Sequence, residues 1–247
     1  MKISIVTVVF NGVEFIEDCI LSLAAQDHLI IEHIVIDGGS TDGTIEVINR
    51  YLKYISYFCS EKDRGLYDGL NKGIAVATGE VLGVLHADDC FADRGVLSAV
   101  ADCFKANQCE AVYGNLNFIP RHFPAKLHRK WVSKVYSRKD LRYGWMPAHP
   151  TLFLKKELFL SLGGYLLNFG TSADYELILR YFYRNRIHAV FLDRVLVNMG
   201  LGGLSNGSFR KRGRAAVYDY KALSTHEIPY PFLVLFLKKV RKVRQFF

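Results

Sequence analysis

The chain has 247 residues, of which 50% are apolar and 23% charged, so it can bury a large core without disulfides or metal staples. It has only 6 prolines but 14 tyrosines and 17 phenylalanines, which excludes a disordered, collagen-like or low-complexity chain. Its 5 cysteines form no C-x-x-C pair and no zinc-ligand spacing, and such a scattered set indicates reduced thiols in a cytosolic protein.

The net charge of +8 is divided unevenly along the chain. Residues 1–100 carry 7 Lys or Arg against 15 Asp or Glu, whereas residues 101–247 carry 25 against 9. A basic half attracts nucleic acid, anionic lipid or phosphorylated small molecules. Charge alone does not choose among these three classes of partner.

No secretory signal is expected, because the apolar run 3–10 lacks a charged leader and continues into Asn11-Gly12 without a cleavage site. The apolar stretch 232–237 is far shorter than the roughly 20 residues that cross a bilayer. We therefore expect a cytoplasmic protein without a membrane-spanning helix.

Strand and helix patterns alternate through the first half of the chain. Residues 2–10 are rich in β-branched side chains and predict a strand that is buried on both faces. The later predicted elements are helix 15–23, strand 30–36, helix 44–54, strand 55–59, a helix around 70–77, strand 81–85, helix 95–104 and strand 111–113. This alternation predicts a doubly wound, mainly parallel α/β sheet with right-handed crossovers.

The pattern is looser beyond about residue 115. A basic, aromatic-rich segment at 121–145 precedes three further predicted elements, which are strand 151–154, helix 175–184 and strand 189–192. We interpret them as an extension of the same domain. Residues 200–207 are rich in Gly and Ser, a composition typical of a mobile loop over a site.

Three acidic clusters directly follow predicted strands, at 37–44, 61–65 and 86–89. Because ligands of open α/β sheets bind beyond the carboxyl ends of the strands, three coincident clusters indicate one site. Each cluster alone is also explained by turns and helix caps. The phosphate loops G-x-x-x-x-G-K-[ST] and G-x-G-x-x-G are missing, which disfavours a P-loop NTPase and a dinucleotide-dependent dehydrogenase.

With these phosphate loops missing, an acidic site for a nucleotide remains. Such a site needs a counterion. Carboxylates accept hydrogen bonds from ribose hydroxyls or a base N–H, but they repel pyrophosphate unless a divalent cation lies between them. The adjacent Asp88 and Asp89 supply the hard oxygen ligands that suit Mg²⁺ or Mn²⁺.

Four segments resemble, in order and spacing, the donor-site motifs of the inverting family-two glycosyltransferases, which have the GT-A nucleotide-sugar-binding fold. These segments are Ile5–Asn11, Asp37–Thr44, Ser60–Gly73 and Leu85–Asp89. The similarity covers residues 1 to about 205. It implies a GT-A sheet with a nucleotide-sugar-binding half at 1–115 and an acceptor half at 116–205, followed by a basic helical extension at 206–247.

The resemblance also implies roles for individual residues. Asp37 would contact the nucleobase, Asp88 the ribose, and Asp89 the metal-bound diphosphate. Four further residues would surround the nucleotide: Thr7 and Asn11 lining the pocket, Glu61 in its wall and Arg64 near phosphate. We expect Asp42 to be a turn or cap residue, and Asp63 and Asp68 are equally well explained as structural acids.

On the acceptor side, Ala148–Phe153 resembles the His-containing segment of these enzymes, and Ser172–Arg180 resembles the helix start that carries their catalytic base. Asp174 is the candidate base, although an acid in the first turn of a helix is often only structural. Many relatives have Glu-Asp where this chain has Ala173-Asp174, so Glu176 stays open as an alternative.

His149 is a candidate metal or phosphate ligand or a structural histidine.

The C-terminal segments suggest contacts with anions. Residues 199–205 resemble a loop of relatives that build bacterial surface polysaccharides, and the basic run 210–212 follows it. From residue 232 to 247 apolar side chains fall on one helical face and cations on the rest, which is typical of an interfacial helix. We therefore expect residues 230–247 to bind an anionic membrane surface, and a helix packed on the domain is the alternative.

The sequence thus predicts a metal-dependent enzyme, peripheral on the inner face of the cytoplasmic membrane, that moves sugar from a UDP-sugar to a lipid-linked glycan. Two other classes stay open. A sugar-nucleotide pyrophosphorylase would need a Gly-rich basic phosphate loop, which residues 8–13 do not provide. A nucleic-acid-binding protein would use the basic half, but the acidic first hundred residues argue against nucleic acid as a partner. A homo-oligomer is compatible with the sequence.

Overall fold

A computed structural model describes residues 1–120, 127–201 and 209–244 of the chain. Within these ranges nine strands form one sheet. The strands are β1 (Ile3–Val9), β2 (Ile31–Asp37), β3 (Tyr57–Ser60), β4 (Val81–Val84), β5 (Asp89–Phe91), β6 (Ala111–Ile119), β7 (Arg129–Trp131), β8 (Phe153–Lys155) and β9 (Ala189–Gly200).

The sheet has the strand order β3-β2-β1-β4-β8-β6-β9-β5, and β7 is paired with β6. Strands β3, β2, β1 and β4 are all parallel. The short strand β8 joins this block to the rest of the sheet, because Leu154 lies opposite Leu82 of β4 and opposite Ala111 of β6. Strand β9 then runs parallel to β6 and antiparallel to β5. The predicted α/β class with a doubly wound sheet is confirmed.

Helices cover both faces of the sheet. They are α1 (Ile16–Ala24), α2 (Thr44–Arg50), α3 (Leu66–Val76), α4 (Val96–Asn107), α5 (Arg138–Arg142), α6 (Lys156–Leu162), α7 (Ala173–Ile178), α8 (Phe209–Thr225) and α9 (Pro231–Arg244). A π-helical segment, Leu179–Arg184, continues α7, and the 3₁₀ segment Leu167–Ser172 leads into it.

The core has a layer on each side of the sheet because successive side chains of a strand point to opposite faces. Val6 of β1 packs in the layer that contains Leu70 of α3. Its neighbour Ile5 packs in the other layer, with Leu23 of α1 and Val100 of α4. The continuous apolar run of β1 is therefore explained by burial on both faces.

The predicted strands and helices of the first hundred residues are present close to their expected positions. The three-residue strands β5 and β7 were not predicted, and β6 and β9 extend well beyond the predicted ranges 111–113 and 189–192. In β6, the polar Asn115 and Asn117 interrupt the apolar run, since the outer part of this strand is buried only at alternate positions. Such a half-buried strand gives a weaker signal than a fully buried one.

Helices α8 and α9 occupy most of the predicted extension 206–247 and pack on the segment around α7. Ala222 and Leu223 of α8 and Val234 of α9 are buried in the same core layer as α7. In the part of the chain that the structure describes, no helix is long and apolar enough to cross a bilayer.

Candidate active site

The turn after β2 is built around the carboxylate of Asp37, which has no exposed surface. Its Oδ2 accepts hydrogen bonds from the N–H groups of Gly39 at 3.0 Å and Ser40 at 2.9 Å, and from Ser60 Oγ at 2.6 Å. Its Oδ1 accepts one from Ser40 Oγ. Asp37 therefore shapes this turn and ties it to β3. A nucleobase would have to displace one of these donors, and the predicted contact stays a prediction.

The chain that leaves β1 is bonded to the same turn. Asn11 has a left-handed backbone conformation with φ 50°, its N–H donates to Ser40 Oγ at 2.7 Å, and its side-chain oxygen accepts from Thr41 N–H at 2.9 Å. Asp42 accepts a hydrogen bond from Val13 N–H at 3.1 Å. Asn11 thus lies on the exposed rim beyond β1, and Asp42 has the turn role that the sequence suggested.

Thr7 lies within β1, and its side chain is fully buried. Its hydroxyl is 3.1 Å from His33 Nε2 and 3.8 Å from Cys19 Sγ. Burial lowers the pKa of His33 to about 4, so this imidazole is neutral near pH 7. Thr7 is therefore packed among core residues of β1, β2 and α1, and this placement gives no support to a pocket-lining role.

Charged side chains after β3 are paired with one another. Glu61 forms an ion pair with Lys72 of α3 at 2.7 Å. Arg64 is largely exposed and forms an ion pair at 2.8 Å with Asp68, which lies in the first turn of α3. Asp63 accepts a hydrogen bond from Gly65 N–H at 2.9 Å, just before that helix. Glu61 and Arg64 therefore line the outside of the turn, while Asp63 and Asp68 have structural partners.

The acidic pair lies after β4, as predicted, and its second member begins β5. Asp88 is partly exposed and Asp89 is fully buried. Asp89 Oδ1 accepts a hydrogen bond from Gly200 N–H at 3.2 Å, so the end of β9 covers this carboxylate. Residues 202–207 of the predicted loop, and the side chains of the basic run 210–212, lie outside the described residues.

His149 is buried beside a second histidine. Its Nε2 lies 2.7 Å from Tyr165 Oη, and its ring centre is 6.1 Å from that of His86. Asn71 of α3 holds the backbone of Tyr165 from both sides, accepting from its N–H at 2.9 Å and donating to its carbonyl at 2.8 Å. His149 is therefore part of a fixed wall between α3 and the turn 162–165.

Asp174 lies in the first turn of α7 and is partly exposed. Its Oδ1 accepts a hydrogen bond from Tyr175 N–H at 2.8 Å, one of the N–H groups that a helix start leaves unpaired. Burial and the negative charge of Asp174 raise the pKa of Tyr67. Tyr67 Oη also donates to Thr171 O at 3.4 Å. Because Tyr67 belongs to α3, the candidate base lies where the two predicted halves meet.

Asp88 and the candidate base Asp174 both lie close enough to His86 to affect the pKa of its imidazole. Burial lowers the pKa of His86, His149 lowers it further, and the charges of Asp88 and Asp174 both act to raise it. Electrostatic effects of this kind fall off over a few ångströms to about ten. The structure therefore brings together His86, Asp88, His149 and Asp174.

Glu176 does not share this neighbourhood. It is 1% exposed and lies 3.0 Å from His226 Nε2 and 2.9 Å from the guanidinium of Arg180. Burial acts to raise the pKa of Glu176, but the hydrogen bonds from His226 and Arg180 outweigh it and lower the pKa. This carboxylate is neither accessible nor basic, so the structure favours Asp174 over Glu176 as the base.

The acids after β4 fit a divalent cation that arrives with its substrate. Within the described ranges, no three His, Cys, Asp or Glu side chains form a preformed cation cluster. Mg²⁺, however, is commonly held by one or two carboxylates together with water and substrate phosphates. Asp88 and Asp89 have this chemistry. His149 Nε2 is already bonded to Tyr165, so metal ligation by His149 would need its other ring nitrogen and stays a prediction.

Three residues of this neighbourhood were not predicted: Tyr67, His86 and Tyr165. Tyr67 and His86 lie inside two of the segments that resemble donor-site motifs, but no spacing rule identifies them as site residues. Tyr165 carries no sequence signal, since its position depends on contacts with Asn71 and His149 that are distant along the chain.

Comparison with known proteins gives consistent matches. Residues 4–161 match the model of Glycosyl transferase family 2. The chain is 32% identical over 187 residues to an uncharacterized glycosyltransferase of Mycobacterium tuberculosis strain CDC 1551, a match that covers 72% of this chain and 68% of that protein. It is 27% identical over 208 residues to a PGL/p-HBAD biosynthesis glycosyltransferase of Mycobacterium bovis strain BCG, covering 82% and 78%.

Solved structures share the fold at low identity. The chain resembles S. aureus TarS 1–349 in complex with UDP-GlcNAc, with a TM-score of 0.68 and 13% identity over 99% of this chain and 93% of that one. It also resembles the mannosyltransferase PcManGT from Pyrobaculum calidifontis in complex with GDP-Man and Mn²⁺, with a TM-score of 0.66 and 19% identity over 96% and 68%. The predicted GT-A type of sheet is therefore confirmed.

Proposed function

Because the chain belongs to glycosyl transferase family 2, we propose that it moves a sugar from a UDP-sugar to a hydroxyl of a lipid-linked glycan, with inversion at the anomeric carbon. The reaction would belong to the biosynthesis of bacterial surface polysaccharides or glycoconjugates. The observation that carries the proposal is the placement of the acids: Asp88 follows β4, and Tyr67 of α3 meets Thr171, three residues before the candidate base Asp174.

In the proposed reaction Asp174 accepts the proton of the acceptor hydroxyl while that oxygen attacks the anomeric carbon. The attack comes from the face opposite the leaving nucleoside diphosphate, so one displacement inverts the configuration without a covalent intermediate. The partial exposure of Asp174 at the start of α7 supports this role, because a general base must reach the proton that it accepts.

A divalent cation, Mg²⁺ or Mn²⁺, held by Asp89 with Asp88 beside it would neutralise the charge that develops on the departing diphosphate. Asp88 is partly exposed and is the better placed of the two acids to accept a hydrogen bond from the ribose. The hydrogen bond from Gly200 N–H fixes one oxygen of Asp89. Asn11 and the turn around Asp37 would hold the base and ribose at the neighbouring strand ends.

The nature of the donor is supported by the solved neighbours. One is in complex with UDP-GlcNAc and another with GDP-Man and Mn²⁺, so the shared fold accommodates two different nucleotides. We assign a UDP-sugar here because TarS, which shares the fold, is known in complex with UDP and with UDP-GlcNAc.

A panel of UDP- and GDP-sugars tests the proposal. Each sugar nucleotide is incubated with the protein, Mn²⁺ and a lipid-linked acceptor fraction, and the release of nucleoside diphosphate is measured. We expect one UDP-sugar to release UDP and to label the acceptor. Formation of nucleotide sugar from a sugar phosphate and a nucleoside triphosphate would instead identify a pyrophosphorylase. Salt-sensitive binding of random oligonucleotides without any sugar turnover would identify a nucleic-acid-binding protein.

The proposed membrane contact is supported by the outward face of the C-terminal helices. Exposed apolar side chains lie together on α8, on α9 and in the turn between them: Val217, Tyr220, Tyr230, Phe232, Leu233, Phe236 and Val240. The rings of Tyr220 and Phe232, 5.0 Å apart, join the two helices. We call this set the outer face. It lies beside the exposed cation Lys239, so it suits an anionic lipid surface at the inner side of the cytoplasmic membrane.

Replacing Phe232 and Phe236 together by serine is expected to lower binding to vesicles containing anionic lipid by about tenfold or more, since burying one Phe contributes roughly 1.5–3 kcal/mol. Co-sedimentation measures the bound fraction. Point variants are preferable to deletion of residues 230–247, because Val234 and Lys238 on the inner side of α9 contact the core. The control Leu160→Ser changes an apolar side chain on α6 that is at least as exposed, at 78% against 74% for Phe232 and 61% for Phe236. Equal loss in the control would contradict the membrane assignment.

A further inference from the structure

A buried carboxylate with two side-chain partners lies on the far side of α7 from Asp174. Glu176 Oε1 accepts hydrogen bonds from His226 Nε2 and Arg180 Nε, each at 3.0 Å, and Oε2 accepts one from Arg180 Nη2 at 2.9 Å. We call Glu176, Arg180 and His226 the buried triad. The mechanism does not use it as acid or base. Residues two apart on a helix lie roughly 200° apart around its axis, so Asp174 and Glu176 face different directions.

The buried triad also fixes the turn that carries Tyr165. Beyond its bonds to Glu176, the guanidinium of Arg180 donates to the carbonyl of Leu162, to that of Gly163 at 2.8 Å and to that of Gly164 at 2.7 Å. Tyr165 follows directly and bonds His149. One arginine therefore ties α7 to the wall of the site.

His226 joins the same group to the end of α8, and other contacts of α8 hold the chain just before Asp174. Lys221 donates to Asn168 O at 3.0 Å, and Ser172 Oγ donates to Ala215 O at 3.3 Å. Gly170 has φ 49°, and a Cβ at this position would overlap the ring of Tyr218. The segment from 168 to 176 is thus held by α8 on both sides of the candidate base.

A carboxylate stays ionised in the interior of a protein only when hydrogen-bond donors or opposite charges contact it. Glu176 is 1% exposed, and a buried carboxylate that loses a donor must either become protonated or draw the surrounding chain toward water. Movement of the chain toward water shifts the first turn of α7. Because Asp174 lies half a turn earlier on this helix, its distance to the acceptor hydroxyl changes with the turn.

From these contacts we infer that Glu176 and His226 are positioning residues, which set the orientation of Asp174 by fixing α7 to the C-terminal helix α8. The inference rests on the proposed role of Asp174 as the base. It assigns a second role to the C-terminal helices: their outer face meets lipid, and their inner side holds the base for the reaction.

The test measures kcat and KM of three variants, Glu176→Gln, His226→Ala and His226→Gln. Calorimetric titration with UDP and Mn²⁺ counts the functional donor-binding sites of each preparation, and kcat is expressed per site. We expect Glu176→Gln and His226→Ala to lower kcat about 10- to 100-fold, because small misplacements of a reacting group have effects of this size. KM for the donor should change less than twofold. Gln places an amide N–H near the position of His Nε2, so His226→Gln should recover most of kcat.

His28→Ala is the matched control, since His28 also makes one hydrogen bond, to Met1 O at 3.0 Å, and contributes nothing to the site. Normal kcat per binding site in both Glu176→Gln and His226→Ala would overturn the inference. If His226→Ala does not fold, the isosteric Glu176→Gln decides. Asp174→Asn is measured in parallel: if it is active, the proposed base is wrong, whereas if it is inactive beside a normal Glu176→Gln, only the positioning role is wrong.

Discussion

Asp174→Asn is expected to lower the turnover number of sugar transfer by about 10²- to 10⁴-fold, the range that general-base assistance typically supplies. Asparagine keeps an oxygen for the hydrogen bond from Tyr175 N–H, so the start of α7 should keep its shape. It cannot accept the proton of the acceptor hydroxyl. Single-turnover assays at saturating donor and acceptor measure the chemical step.

Donor affinity should change little in this variant, because the proposed partner of Asp174 is the acceptor hydroxyl and not the donor. Calorimetric titration with UDP and Mn²⁺ checks this expectation. Asp102→Asn is a suitable control: Asp102 is exposed on α4, where it forms an ion pair with Lys105 at 3.7 Å. Turnover of Asp174→Asn near the normal rate would exclude Asp174 as the base, and the burial of Glu176 leaves that residue a poor substitute.

Asp89→Asn is expected to weaken metal-dependent binding of the donor by at least 10- to 100-fold, since even the outer partners of metal ligands commonly contribute about this much to affinity. The substitution removes the negative charge but keeps an acceptor for Gly200 N–H, so the end of β9 stays in place. Titration with UDP in the presence and absence of Mn²⁺ measures the loss. The gain in UDP affinity that Mn²⁺ gives should shrink toward zero in this variant.

Chelation gives an independent check on the same carboxylate. EDTA should abolish sugar transfer by the unchanged protein, and added Mn²⁺ or Mg²⁺ should restore it. Full activity in EDTA, together with normal UDP affinity of Asp89→Asn, would mean that the acids after β4 act without a cation. Asp102→Asn again serves as the control for the loss of one negative charge.

The parallel half of the sheet was predictable because its signal is local. Strands β1, β2 and β4 are buried on nearly every residue, so their apolar runs are continuous, and the acids at the ends of β2 and β4 lie at the carboxyl end of the sheet. The three-residue strand β5 has no such run. It exists because Cys90 pairs with Asn198, which lies far along the chain.

The site could be predicted only in part for the same reason. Asp88 and Asp89 follow a strand and could be found from their position, whereas Asp174 was selected by family resemblance. Its surroundings depend on long-range contacts, such as Tyr67 with Thr171 and Glu176 with His226. The division of the chain at residues 115 and 205 stays a prediction.

The way β8 bridges the sheet affects how the protein is made. Leu82 of β4 pairs with Leu154 of β8, which follows about 70 residues later in the chain. This side of β4 therefore has no strand partner while the ribosome adds those residues, which takes roughly 4–15 s at about 5–20 residues per second. An unpaired edge of buried, apolar strands invites pairing with other nascent chains. Synthesis of this protein should therefore benefit from chaperones that shield the emerging chain until β8 leaves the exit tunnel.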